Sequence, residues 1–315
     1  MAAFKIPNTP SMSSSVQEFA DYLELLCLVN DGEYSINDAQ TQIDIISDED
    51  DQESIINEDD VLHDNLQLAL EEIDRRSFAC NGNYPFTTDR NSICFLSAKD
   101  EPKKSLTLIY LYLLLATRLN MLDRKIVNDV DGTQLFEELS AIAIKNHFGV
   151  NADAYVFGTG SAGGFKEKIN TLIAKIEEGE RAREPEYSTN DERDGGLDVV
   201  VWKPFADKSK GKLIGFGQCK TGTEWRKLVA DLVPEDFCKD YFSVQPIATP
   251  IKLFFVCEAF RQNWEKIGRK AGLLFDRCRI MENLSEFKVQ DHSALLGKIS
   301  QWVNENMEFV IQSYS

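Results

Sequence analysis

The stretch DVVVWKPFADKSKGKLIGFGQCK, residues 198–220, decides the fold of the C-terminal half of the chain. An apolar run, a basic polar loop and a second apolar run are typical of two antiparallel strands joined by a hairpin. The second run ends on Gln218, Cys219 and Lys220, which is an unusual end for a strand that has been apolar. If the two strands pair, the start of the first lies beside the end of the second, and Asp198 approaches Gln218 and Lys220.

This strand end gathers chemically useful groups on one edge of a sheet. Because side chains alternate across a strand, Gln218 and Lys220 share a face and Cys219 points the other way. A carboxylate, an amide oxygen and a backbone carbonyl, here that of Cys219, are ligands that Mg²⁺ accepts. A lysine beside them can orient a water and neutralise developing charge. The residues therefore predict metal-assisted hydrolysis of a phosphodiester.

Helical and strand patterns alternate on both sides of this hairpin. Residues 132–149 predict a helix that ends at a glycine, and 251–259 form a continuous apolar run that is typical of a strand covered on both faces. The order α-β-α-β-β-α-β-α-β-α predicts an α/β layered domain over 130–315. Residues 1–129 predict a mostly helical region with one short strand at 92–96.

Composition and charge do not exclude a nucleic-acid partner. The 315 residues are 43% hydrophobic and 27% charged, which is ordinary for a globular protein, with a net charge of −18. The charge is uneven, since 17 Lys/Arg face 14 Asp/Glu from Val199 onward. Much of the acidic excess lies at 44–60, which predicts a solvated loop or disordered linker. An acidic flap that competes with a polyanion is the alternative.

Cysteine and histidine usage points away from disulfides and zinc. The seven cysteines are odd in number and form no CxxC pair, and there are only three histidines. We therefore expect reduced thiols, a cytoplasmic protein and, if a metal binds, oxygen ligands. The first 15 residues carry no signal-peptide pattern, and the apolar segment 106–116 is shorter than the ~20 residues that a membrane span needs.

The segment GTGSAG, residues 158–163, matches the GxGxxG pattern of dinucleotide-binding loops. It follows an expected strand and precedes an expected helix, but no second strand arrives about 30 residues on to carry the ribose-binding acid. We interpret it as a glycine-rich turn. Backbone amides that hold a phosphate of a bound polymer are the alternative.

Three segments together resemble the PD-(D/E)xK nuclease superfamily, and most closely its methylation-dependent, Mrr-like restriction branch. GTQLFEELSAIAIKNHFG is similar to the opening helix of that branch. DGGLDVVV resembles its D-x-G-x-D strand start, and GQCKTG its Q-x-K strand end. The resemblance covers residues 131–257 and leaves the first 125 or so without a role.

The resemblance implies a restriction-endonuclease-like core, in which helices flank a mixed central sheet. It implies that Asp198 is the first metal ligand, Gln218 the second, Lys220 the catalytic lysine and Glu137 a helix acid that joins the metal. The cofactor would be Mg²⁺ or Mn²⁺, the substrate DNA, and the role restriction or antiphage defence in a prokaryote. The commoner motif has Asp or Glu in place of Gln218. The glutamine therefore leaves open whether one or two metal ions bind.

Basic residues near the motif predict contacts to phosphates. Four lie in or beside the hairpin loop and two follow the motif: Lys203, Lys208, Lys210, Lys212, Arg226 and Lys227. Surface lysines that only aid solubility are the alternative. Trp225 fits a core aromatic better than a base-stacking residue.

Each candidate residue has a structural alternative. Asp198 can cap the strand, Lys220 can extend from a buried strand to reach solvent, and Glu137 with Glu138 can form the solvated edge of a helix. Glu178 is an alternative acid, and Glu192 and Asp194 fit a turn. Cys219 fits a small buried hydrophobe.

The competing functional hypothesis is a weak or inactive nuclease-fold subunit. It would bind nucleic acid or partner proteins, such as an ATPase or helicase-like subunit, in a larger defence complex. The helical region 1–129 would then be regulatory or dock the partner, and the oligomeric state stays open.

Overall fold

The structure, a computed structural model, describes residues 3–47, 55–158, 164–183 and 195–314. The chain forms two compact units. The first comprises Met1–Val130, Glu258–Arg261 and Arg277–Ser315, and the second Asp131–Cys257 and Gln262–Asp276. The expected boundary near residue 129 coincides with the first change of unit. The C-terminal residues differ from expectation, because they group with the N-terminal region.

The first unit is mostly helical. Its helices are α1 (Val16–Val29), α2 (Ile36–Ser47), α3 (Ile55–Ala79), α4 (Glu101–Arg118), α9 (Arg277–Glu282) and α10 (Ser293–Tyr314). A small antiparallel sheet has the order β1-β3-β2, with β1 (Glu33–Ser35), β2 (Phe86–Asp89) and β3 (Ser92–Phe95). The sequence predicted only β3 of these three, since such short strands carry little periodicity.

Charged side chains fill part of the core of the first unit. Asp21, Glu24, Arg76, Arg118 and Arg277, which we call the buried ion cluster, are all fully buried. Asp21 accepts hydrogen bonds from Arg76 at 2.6 Å, from Arg118 at 2.6 Å and from Arg277 at 2.9 and 3.0 Å. These contacts join residues up to 256 positions apart, so the cluster fixes how α1, α3, α4 and α9 pack.

The second unit has the predicted α/β class. Its helices are α5 (Gly132–Phe148), α6 (Phe165–Ile176), α7 (Pro234–Tyr241) and α8 (Trp264–Ala271). Its strands are β6 (Asp153–Val156), β7 (Val199–Lys203), β8 (Leu213–Lys220), β9 (Ile251–Val256) and β10 (Leu273–Phe275). A two-residue pair, β4 (Ile126–Val127) with β5 (Val130–Asp131), precedes α5.

The five strands form one mixed sheet in the order β10-β9-β8-β7-β6. β6, β7 and β8 are antiparallel neighbours, whereas β8, β9 and β10 run parallel. The last four residues of β9 are fully buried, as its continuous apolar run predicted. The helix expected between β8 and β9 is α7, and a short 3₁₀ turn, Glu224–Lys227, precedes it.

Some sequence predictions lie wholly or partly outside the described residues. α2 ends at Ser47 and α3 begins at Ile55, so the expected acidic linker 44–60 overlaps both helices and includes undescribed residues 48–54. Residues 159–163 of the glycine-rich segment, and Glu192 and Asp194, are also outside. Within the described parts of the chain, no helix is both long and apolar enough to cross a membrane.

Candidate active site

The β7–β8 hairpin brings Asp198 next to Gln218. Val199 pairs with Gly217 in an antiparallel register, so the residue before Val199 lies opposite the residue after Gly217. The carboxylate oxygen Oδ2 of Asp198 accepts a 2.7 Å hydrogen bond from the backbone amide of Cys219. The start of β7 and the end of β8 are therefore joined by the candidate acid itself.

Gln218 presents a buried amide oxygen at this edge of the sheet. Its side chain is 2% exposed, and its Oε1 has no hydrogen-bond partner among the described residues. A methyl group on Gly196 would lie only 3.3 Å from its Nε2, so the glycine leaves room for the amide. Leaving a buried acceptor unsatisfied costs about 1–3 kcal/mol, which suggests that a ligand completes this position.

Glu137 reaches the same edge from α5. The Asp131 side chain caps that helix by accepting from the Thr133 amide at 2.8 Å, and Glu137 is buried at 6% exposure. A methyl group on Gly158 would overlap the Glu137 carboxylate, so this carboxylate lies against the end of β6. The Gly158 amide in turn donates to the carbonyl of Asp198 at 3.2 Å.

The thiol of Cys219 lies close to both carboxylates. Burial, together with the negative charges of Asp198 and Glu137, raises the pKa of Cys219 well above its ordinary value. The thiol is thus neutral near neutral pH and unsuited to act as a nucleophile. Cys219 is half-buried rather than the fully buried side chain that the sequence predicted.

Lys220 ends β8 and is partly exposed, two residues beyond buried Gln218. Among the described residues its ammonium has no hydrogen-bond or ion-pair partner. The side chain therefore extends toward solvent from the sheet edge that carries Asp198 and Gln218. A substrate phosphate or a water can be contacted from that position.

The donor set fits a hard divalent cation. Asp198 and Glu137 would supply carboxylates, Glu137 from the Cys219 side of the strand end, and Gln218 would supply the amide oxygen that has no partner among the described residues. The part of the chain that the structure describes contains no cluster of three or more His, Cys, Asp or Glu side chains that could hold a metal. A metal here would depend on the amide and on the Cys219 carbonyl as well as on two acids.

The basic hairpin loop lies at the far end of the sheet from these groups. An antiparallel hairpin necessarily places its loop opposite its open end, and β7 alone puts roughly 15 Å of extended chain between them. Lys203 donates to the Phe148 carbonyl at 2.9 Å, and Lys208 and Lys210 are exposed. Phosphate contacts by these lysines would thus be remote from Lys220.

Lys212 has a structural role that removes it from the set of phosphate contacts. It is 1% exposed, and its ammonium donates to the Ile176 carbonyl at 2.8 Å and to Glu177 Oε2 at 2.6 Å. The alternative acid Glu178 is also remote from the site, because its carboxylate accepts from the Lys212 amide at 3.1 Å.

Arg226 and Lys227, in contrast, lie in the 3₁₀ turn that follows β8. Arg226 stacks over the Trp225 ring at 4.5 Å, and Lys227 forms an exposed 3.0 Å ion pair with Glu224. Exposed ion pairs contribute little free energy, so a phosphate can replace Glu224. Trp225 is 1% exposed and packs against the Phe254 ring, as expected for a core residue.

Two further polar residues at this edge were not predicted from the sequence. Lys168 of α6 donates to the Gly158 carbonyl at 3.1 Å, and nothing distinguishes it from the other lysines of an amphipathic helix. Asp276 is 3% exposed and directly follows β10. Sheet register places it two strands from Lys220, about 10 Å away. The sequence signal for Asp276 was the position of an acid directly after the apolar run LLF.

No protein-family model, curated protein or solved structure matches this chain. The fold and site define an α/β protein with a mixed five-stranded sheet and a carboxylate–amide–lysine edge. Resemblance to a nuclease family therefore rests on the three sequence motifs.

Replacing Gly158 with alanine should disturb the site specifically. The added methyl would lie within 2.7 Å of Glu137 Oε1, and overpacking of this kind costs about 1–3 kcal/mol. We expect a lower unfolding midpoint and a smaller upward shift of that midpoint on adding Mn²⁺. Gly164→Ala is the control, because a methyl there meets nothing within 4 Å. Equal behaviour of the two variants would contradict this account of Glu137.

Proposed function

We propose that this protein is a metal-dependent nuclease that hydrolyses phosphodiester bonds, with DNA as the favoured substrate. One observation carries the proposal: the unsatisfied, buried Gln218 oxygen lies beside Asp198, at the edge where Lys220 reaches solvent. Glu137 adds a second carboxylate.

Each residue has a distinct role in the proposed reaction. Asp198, Gln218 and Glu137 would hold Mg²⁺ or Mn²⁺, which lowers the pKa of a bound water and offsets charge on the phosphate. The Cys219 amide fixes the Asp198 carboxylate through its 2.7 Å hydrogen bond. The Lys220 ammonium orients the attacking water or donates to a phosphate oxygen, and so stabilises the negative charge of the transition state.

A cleavage assay on matched DNA and RNA substrates tests the proposal. Purified protein should cut in Mg²⁺ or Mn²⁺ and stop cutting in EDTA. Cleavage of RNA alone would reassign the substrate. Absence of cleavage on every substrate, with metal binding intact, would favour the second candidate.

The second candidate is a nuclease-fold subunit that binds nucleic acid or a partner but cuts weakly. The observation that favours it is the neutral Gln218 among only two described carboxylates, since an amide binds Mg²⁺ less tightly than an acid does. Co-purification with an ATPase or helicase-like subunit, without cleavage by the isolated chain, would support it. Cleavage restored by adding that partner would instead indicate a gated enzyme.

Gln218→Glu separates these candidates. The added carboxylate would be buried next to Asp198, so we expect a lower unfolding midpoint without metal and a larger Mn²⁺-induced increase than in the unchanged protein. Cleavage should also reach its half-maximal rate at a lower Mn²⁺ concentration than in the unchanged protein. An identical response to Mn²⁺ would place the metal elsewhere.

We further propose that the second unit is a restriction-endonuclease-like core serving restriction or antiphage defence. The support is the mixed sheet flanked by helices, together with the motif order. The first unit would then regulate the nuclease or bind a partner.

A further inference from the structure

α8 carries a row of cations on one side. Lys266, Arg269 and Lys270 are spaced i, i+3 and i+4, so their side chains are neighbours on the helix surface. All three are exposed. They line a surface groove of about 610 Å³ together with Asn263, Trp264 and Glu265.

These cations are available to a ligand. Among the described residues none of the three has an ion-pair or hydrogen-bond partner. The chain has a net charge of −18, so three uncompensated cations on one helix contrast with the rest of the protein. An anion, and above all a polyanion, is the ligand that such a surface attracts.

Another basic groove is less suited. It measures about 480 Å³ and includes Arg181, Arg183 and Lys239. Lys239 is paired with Glu235 at 2.6 Å, and the Arg183 guanidinium donates to the Lys239 carbonyl at 2.7 Å. Lys239 and Arg183 thus already have partners within the protein, which makes this groove a weaker anion-binding surface.

The position of α8 relates it to the candidate site. Val256, the end of β9, pairs with Lys220, so both strands end at one edge of the sheet. The C-terminal end of α8 lies at the opposite edge, since Gly272 packs on the Lys252 carbonyl near the start of β9. The helix is about 12 Å long and joins parallel strands, so its first turn points back toward the Lys220 edge.

We infer that this face of α8 binds the phosphate backbone of the nucleic acid on which the candidate site acts. The inference rests on the proposed nuclease function for the identity of the ligand. Lys266, Arg269 and Lys270 contact successive phosphates and hold the strand along the helix toward Lys220. The contacts are independent of base sequence, because only the backbone is bound.

The test compares two charge-matched triple variants. One carries Lys266→Gln, Arg269→Gln and Lys270→Gln. The other carries the same loss of three charges at the far hairpin loop, Lys203→Gln, Lys208→Gln and Lys210→Gln. Anisotropy of a short fluorescent DNA duplex is measured in EDTA over a series of KCl concentrations, so that binding is read without cleavage.

We expect the α8 variant to bind about tenfold or more weakly, with a log K against log salt slope shallower by about 2 to 3. The loop variant should retain the affinity and slope of the unchanged protein. Equal losses in both variants, or a loss confined to the loop variant, would overturn the inference. The α8 variant should keep the unchanged unfolding midpoint, since its substitutions remove no hydrogen bond or ion pair of the described residues. The loop variant loses the hydrogen bond from Lys203 to the Phe148 carbonyl, so a small drop in its midpoint is expected and is measured beside its DNA affinity.

The outcome is separable from the proposed function. If the α8 variant binds DNA normally while the protein cuts DNA, the inference fails and the nuclease assignment stands. If the protein cuts no nucleic acid but binds it through α8, the binding surface stands and the catalytic assignment fails.

Discussion

Lys220→Met is expected to reduce the cleavage rate at least about 100-fold while leaving the fold intact. The ammonium would act on charge that develops in the transition state, and removal of one such group costs about 10²–10³ in rate. It has no hydrogen-bond or ion-pair partner among the described residues, so its loss breaks no such contact, and methionine keeps an apolar stem of similar length. Single-turnover cleavage with saturating Mg²⁺, beside the unfolding midpoint, measures both effects.

Lys210→Met provides the matched control. It removes the same charge from the same hairpin, but at the exposed loop on the opposite end of the sheet. Asp198→Asn should lose activity as Lys220→Met does, and should also lose the Mn²⁺-induced stabilisation that Lys220→Met retains. If Lys220→Met and Lys210→Met cut equally well, the catalytic assignment is wrong.

The sequence predicted that Asp198, Gln218 and Lys220 lie at one edge of the sheet, because local features of the chain determine that arrangement. Alternation places Gln218 and Lys220 on one face, and a short loop makes antiparallel pairing of β7 and β8 the simplest outcome. The register of Val199 with Gly217 confirms that pairing. The metal and the catalytic roles remain predictions.

The surroundings of the site could not be predicted in the same way. The loop lysines are close to Lys220 in sequence, but a hairpin separates them in space. The cations of α8 follow Lys220 by 46 to 50 positions, and only the parallel pairing of β8 with β9 relates that helix to the edge. Whether a lysine is paired, as Lys212 is, depends on contacts that no sequence pattern encodes.

The buried ion cluster of the first unit illustrates the same limit. On an amphipathic α1, Asp21 and Glu24 look like solvated residues. Their partners Arg76 and Arg277 lie 55 and 256 positions from Asp21. Only the assembled helices reveal that these acids are core residues.

Asp21→Asn should therefore destabilise the first unit by about 3–5 kcal/mol at neutral pH, the cost of leaving buried charges without their partner. Arg76, Arg118 and Arg277 would be left with one carboxylate fewer in a fully buried site. Chemical unfolding of the full chain measures the loss. Asp31→Asn is the control, since Asp31 is exposed and its positive φ of 57° is tolerated by asparagine.

The pH dependence distinguishes loss of charge from loss of packing. Burial opposes ionisation of Asp21, but the guanidiniums of Arg277, Arg118 and Arg76 together lower its pKa below the ordinary value. A carboxylate whose folded pKa is depressed stabilises the fold above its unfolded pKa, and this contribution fades as pH falls below about 4. The stability difference between the unchanged protein and Asp21→Asn should thus be largest at neutral pH and shrink in acid. A difference that does not change with pH would mean that Asp21 acts through its shape, and that the cluster is held together by hydrogen bonds rather than by charge.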